Sequence, residues 1–181
     1  MKKIIIIIFL STSTNLFAQD VDMVDFVNRY RIANGKDVLN TSKELTKIAI
    51  AQTKVNVNQD SLTHSHLINE IATMGHSLPT TAVSKDNFTK FLINTFKIKY
   101  VEPKTEFEVV KYTKLYAMYL FDKSPVHKKI LLGDYNTIGL DIVIKDIKHK
   151  TNVIIIGGKI FEYNKMINHY EVKFYSVITL K

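Results

Sequence analysis

Three sets of residues in this chain have types and spacings that could do chemistry. The first is His127, in Ser124-Pro125-Val126-His127-Lys128-Lys129-Ile130-Leu131. Ser124 has the hydroxyl of a helix N-cap, and Pro125 suits the first helical position, where a missing N–H costs nothing. Ile130 and Leu131 follow His127 at i+3 and i+4, so the imidazole shares a face with residues that must be buried. It is either a pocket-lining acid, base or ligand, or a packed histidine whose ring nitrogens are hydrogen-bonded. The second is Glu108, which a helical wheel sets among Tyr112, Leu115 and Tyr119. A carboxylate on an apolar stripe is costly unless paired or coordinated. Glu108 therefore either points inward to a partner or escapes by lying a turn short of the buried part. The third is the polar stretch from Asn56 to Leu78, with His64, His66 and His76 beside Thr63, Ser65 and Ser77. His64 and His66 face one side only if the chain is extended. Adjacent Ser and His in a loop usually serve turns, since a serine nucleophile needs oriented partners in space.

Helices must position these groups. Asp20 or Asp22 can cap a first helix with the stripe Met23, Phe26, Val27 and Tyr30, ended by Asn34-Gly35. Thr41-Ser42-Lys43-Glu44 reads as a capping box for a second helix with Leu45, Ile48, Ala49, Gln52 and Val55. A short helix is expected over Leu67 to Met74, stopped by Gly75. Another is expected from Ser84, with Phe88, Phe91, Leu92 and Thr95. The longest is expected over Thr105 to Phe121, with Val109, Tyr112, Tyr116, Tyr119 and Leu120 on one side.

After the His127 helix the period changes to two. Ile138, Leu140, Ile142 and Ile144 alternate with Gly139, Asp141, Val143 and Lys145, as in a half-buried strand. Ile147 to Asn152 turns the chain. Val153 to Phe161 reads as a central strand, with a bulge or close approach at Gly157-Gly158. Val172 to Leu180 alternates again. Helices first and an antiparallel meander last predict an α+β domain with helices packed on an antiparallel sheet. No repeat or linker divides it.

Lys2 and Lys3, the apolar run Ile4 to Leu10 and Leu16-Phe17-Ala18 read as a secretory signal over residues 1–18, cleaved after Ala18. The mature domain is then 19–181, released to the periplasm or the exterior, with no transmembrane segment. Of 25 Lys and Arg, removing Lys2 and Lys3 leaves 23, six more than the 17 Asp and Glu. Arg occurs only at Arg29 and Arg31, and the charge forms no stripe, which argues against nucleic acid. It suits anionic envelope polymers or lipids. With no Cys, disulfides and thiolates play no part. There is no Gly-rich phosphate loop after a strand and no His-Glu-x-x-His helix. His149 and His169 read as surface residues.

The order of these signals resembles the CAP superfamily, or SCP-like domains, in its compact bacterial secreted branch. Asn28-Arg29-Tyr30-Arg31 with Asn34-Gly35 is similar to the family's first-helix pattern, an Asn and an Arg three apart before a glycine turn. Leu39 with Leu45, Ile48 and Ala49 resembles its second helix. Thr63-His64-Ser65 resembles the following histidine-serine pair. Ser124-Pro125-Val126-His127, with Ile130-Leu131 and Ile138-Gly139, resembles the Ser-Pro-Gly-His segment. The marks span Asp25 to about Leu140.

The resemblance implies an α-β-α sandwich with a cleft that often carries two His and two Glu, in some members around zinc or another divalent metal. His64 and His127 match the histidines, with His66 as the fallback if the register slips by two. The first glutamate is expected in a Gly-Glu-Asn segment near Thr80 to Val83, where this chain has no acid. Glu108 is the candidate for the second. The strand at 170–181 is an addition beyond where the family often stops. Two imidazoles hold zinc weakly without a third ligand. Glu108 would be either that ligand or a general base. The resemblance thus implies a secreted, non-catalytic binding module with a degenerate His/Glu tetrad, taking a lipid, a peptide or an anionic envelope polymer. The alternative is a divalent-metal-assisted hydrolase using His64, His127 and Glu108.

Overall fold

The computed structural model describes residues 22–64, 69–150, 153–156, 159–162 and 169–181. The signal segment at 1–18 and His66 lie outside the described residues.

Among the described residues five helices and two sheets form a mixed α/β fold. The helices are α1 (Met23–Ala33), α2 (Lys43–Gln59), α3 (Ala82–Phe96), α4 (Glu106–Lys123) and α5 (Pro125–Leu131). The strands are β1 (Asn40–Thr41), β2 (Asn69–Ser77), β3 (Thr137–Lys150), β4 (Val153–Ile156), β5 (Lys159–Glu162) and β6 (His169–Leu180). The main sheet runs β1-β3-β6-β2. It is mixed rather than antiparallel throughout, because β1 pairs parallel to β3 while β6 is antiparallel to both β3 and β2.

Strand β6 is an interior strand of this sheet, paired with β3 on one side and β2 on the other. Side chains from Val172 to Leu180 are buried on both of its faces, apart from partly exposed Lys173. Phe174, Ile178 and Leu180 join Ile138 and Ile71 in the main core under α1, α3, α4 and α5. On the other face Val177 packs with Ala49 of α2 and Ala72 of β2, and the Thr179 hydroxyl donates to the Leu45 carbonyl at 3.1 Å. The alternation read over Ile138 to Ile144 holds, with Ile138, Leu140, Ile142 and Ile144 against the core. Two other strand readings do not. Val153 to Phe161 is not one central strand. It contributes β4 and β5, which pair antiparallel as a separate two-stranded sheet. Of the turn expected over Ile147 to Asn152, the described part is a continuation of β3 to Lys150, with a register shift between Lys145 and Lys148 and Asp146 at φ 51°; Thr151 and Asn152 lie outside the described residues.

Helix α1 follows its sequence. Asp22 accepts from the Val24 N–H at 2.9 Å, Met23, Phe26, Val27 and Tyr30 are buried, and Gly35 takes φ 71° beyond the Asn34 cap. The α2 cap is Ser42, not Thr41, because Thr41 is engaged in β1. The α3 cap is Thr81, with Ser84 reciprocating as its third residue rather than starting the helix. Instead of a helix over Leu67 to Met74 the described part is the strand β2. Around Phe88 the rings of Tyr116, Tyr100 and Tyr119 stand 5.3, 5.4 and 5.6 Å away, edge-on or tilted. Such geometry adds to the area they bury.

Candidate functional site

Arg31 and Asn28, the two polar residues of the first-helix pattern, bind backbone rather than ligand. The buried Arg31 guanidinium donates to the carbonyls of Asp37 (2.8 Å), Leu131 (2.6 Å) and Gly133 (3.0 Å). It thereby ties α1 to the end of α5. The Asn28 amide bonds both the N–H and the carbonyl of Leu39, at 2.8 and 3.1 Å.

Helix α5 starts as its sequence requires. Ser124 is its N-cap, accepting from the His127 N–H at 3.4 Å, and Pro125 opens the first turn. This sets the half-buried His127 ring edge-on to the buried Phe121 ring of α4, 5.6 Å between centroids. Burial holds the His127 imidazole below its ordinary range, and the neighbouring His64 charge lowers it further. His64 and His127, far apart in sequence, therefore lie within electrostatic reach of each other.

His64 has a partner that sequence reasoning missed. Its Nδ1 stands 3.3 Å from Oε1 of Glu70, whose side chain is 2% exposed against 39% for His64. Glu70 lies near the start of β2, opposite Thr179 of β6. The segment Thr80 to Val83, where the resemblance led to an expected acid, carries none. Thr81 instead begins α3, exchanging hydrogen bonds with Ser84 at 3.1 Å in each direction. The available signal was Asn69-Glu70-Ile71, an acid at the edge of an extended apolar segment six residues after His64. It was masked by reading that segment as a helix.

Glu108 does not join this group. Its Oε2 accepts from the N–H groups of Lys104 (2.7 Å) and Thr105 (3.2 Å), while the Thr105 hydroxyl accepts from the Glu108 N–H. These bonds, that from Lys104 first, hold its carboxyl below the usual range. It is the capping-box acid of α4. Glu108 and Phe121 sit at opposite ends of that helix, about 20 Å apart along its axis at roughly 1.5 Å per residue.

The arrangement therefore offers two imidazoles, one buried carboxylate and an aromatic wall. Each of its imidazoles can accept or donate a proton. Among the described residues no three His, Asp or Glu side chains are grouped to hold a metal ion. Since a protein zinc site needs at least three protein ligands, the described donor set does not fit zinc. A cavity of about 700 Å³ lies elsewhere, lined by Leu45, Ile48, Asn69, Thr137 and Leu180 among others, and none of His64, Glu70 or His127 lines it. Size alone does not carry the chemistry, so the His64–Glu70 pair, with His127 in electrostatic reach, marks the better candidate. Among the described residues no helix is long and apolar enough to cross a membrane. Compared with known proteins, the chain matches no family model, and it gives no significant match to a curated protein or to a solved structure.

Proposed function

We propose that the chain is a secreted CAP/SCP-like domain, an α-β-α sandwich that works as a non-catalytic binding module through the His64–Glu70–His127 site. The observation that carries this reading is the pairing of His64 with Glu70 beside the Ser124-Pro125-capped His127. Two imidazoles of this kind recognise a ligand by donating to and accepting from its polar groups. The Phe121 ring backs one of them with an apolar wall. A peptide, a lipid headgroup or an anionic envelope polymer meets that description, and the chain's excess of lysine favours the anionic members of the set.

The test is ligand titration of the mature chain followed by NMR of the histidine rings. Addition of envelope glycan, anionic lipid vesicles or short peptides is expected to shift His64 and His127 together for one of the three. His127→Ala is expected to abolish that response. Retention of binding in His127→Ala and in His64→Ala would remove the site from the function. Hydrolysis of ester or peptide substrates, lost in either variant, would instead favour the hydrolase reading. That alternative also calls for a third metal ligand, and Glu108, its candidate, is spent on the α4 cap. Saturable zinc binding lost in His64→Ala would reverse the preference.

A further inference from the structure

We propose that Gln52 and Asn56 are positioning residues for His64, acting through the backbone of Thr63. This deepens the proposed site and rests on His64 belonging to it.

Both amides lie on the inward face of α2, one turn apart, and both are buried. They lie beside the small apolar cluster of Ala49, Ala72 and Val177. Polar side chains there are costly unless hydrogen-bonded. Thr63 is what they bond. The Gln52 Nε2 donates to the Thr63 carbonyl and to its hydroxyl oxygen, each at 2.8 Å. The Asn56 Oδ1 accepts from the Thr63 N–H at 2.9 Å and from its hydroxyl at 2.7 Å. It also accepts from Gln52 Nε2 at 3.2 Å. Every polar group of Thr63, backbone and side chain, is thus held by two side chains of α2.

The next residue is His64. Its side chain is 39% exposed, so packing alone does not fix the ring. A 3.3 Å contact with a buried carboxylate requires a backbone that stands still. Asn56 shows which requirement governs. Its Nδ2 is buried with no hydrogen-bond partner, a condition that ordinarily costs about 1–3 kcal/mol. Turning the amide over would present a donor to the Thr63 N–H. The orientation therefore serves Thr63 rather than Asn56 itself. A layer made only for packing would need neither amide.

The experiment uses the full mature chain labelled with ¹⁵N, read by long-range ¹H–¹⁵N NMR at a pH where imidazoles are neutral. Because Nδ1 of His64 faces Glu70, the wild-type ring is expected to carry its proton on Nδ1. Gln52→Met and Asn56→Leu remove the amides at similar volume. Each is expected to move most of the His64 population to the Nε2–H form that an unconstrained imidazole prefers, as Glu70→Ala does. The exposed His76 ring is the unchanged reference. Thr63→Val keeps both backbone bonds and loses only those of the hydroxyl, so it folds if the others do not, and a partial move is expected. Variants that melt earlier but keep His64 in the Nδ1–H form would overturn the proposal while leaving the site reading intact. A wild-type ring protonated on Nε2 would instead overturn the His64–Glu70 pairing, and the site reading with it.

Discussion

The backbone of Leu45, in the first turn of α2, lies directly against Gly139 of β3. A methyl group at Gly139 would overlap the Leu45 carbonyl carbon and the Thr46 nitrogen, both backbone atoms. No side-chain rotation can relieve that overlap, so α2 itself would have to move. Gly139→Ala is expected to cost about 3 kcal/mol or more, the upper end for overpacking. For a domain of this size that lowers Tm by roughly 6–12 °C. Thermal unfolding checks it, and a loss under 1 kcal/mol would mean that α2 is not seated on the strand.

Arg31 should resist even a conservative change. Lysine has no planar fork and cannot reach three carbonyls on two segments. Each carbonyl left buried without a donor costs about 1–3 kcal/mol. Arg31→Lys is expected to lose at least about 2 kcal/mol in urea unfolding. It should also broaden the His127 ring signals, because the end of α5 is released from α1. Sharp, unshifted His127 signals would show that α5 is held by other contacts.

The His127 site carries a pH dependence of definite sign. Its folded-state pKa lies below the ordinary 6.5, by burial first and the His64 charge second. Below 6.5 the unfolded chain therefore binds more protons than the folded one at this group, and its share of stability falls as pH drops from 6.5 through the folded value. The groups facing the ring are Phe121, His64 and, through His64, Glu70. His64→Gln is expected to raise the His127 pKa without returning it to 6.5, because burial remains. NMR titration reads this directly. An unmoved His127 would mean that the two rings do not sense each other.

Ser176 makes a prediction in the opposite direction. Its hydroxyl is buried in β6, between Thr73 and Ile142 in register, with no hydrogen-bond partner. Removing an unsatisfied polar group ends a desolvation cost. Ser176→Ala is expected to leave stability unchanged or raise it by up to about 1 kcal/mol. A clear loss in a thermal melt would reveal a hydrogen bond made through an ordered water.

What could be read from the sequence depended on whether each element decides its own structure. Helix α1 does: Asp22, the Met23–Tyr30 stripe and Gly35 are local signals, and the helix forms where they say. The Ser124-Pro125 start of α5 is equally local. Strand β2 does not. Ile71 and Ala72 are both buried because helices cover both faces of the sheet, so no alternation marks it as a strand, and Glu70 disappeared inside a supposed helix. Glu108 misled for the converse reason. Its wheel position suited the core, but one turn from a helix start the capping geometry of Thr105 takes precedence. Gly157-Gly158, expected as a bulge or a close backbone approach, lies outside the described residues.

The interior place of β6 also governs the order of folding. It follows every other described element, and β2, its neighbour on one side, precedes it by about a hundred residues. During synthesis, β2 and β3 therefore emerge with the strand that separates them still missing. They can form the sheet only after a long loop has closed, a pattern that belongs to slow folders. Until then β2 and β3 keep unpaired strand edges, a surface open to pairing with other chains and to cover by a chaperone.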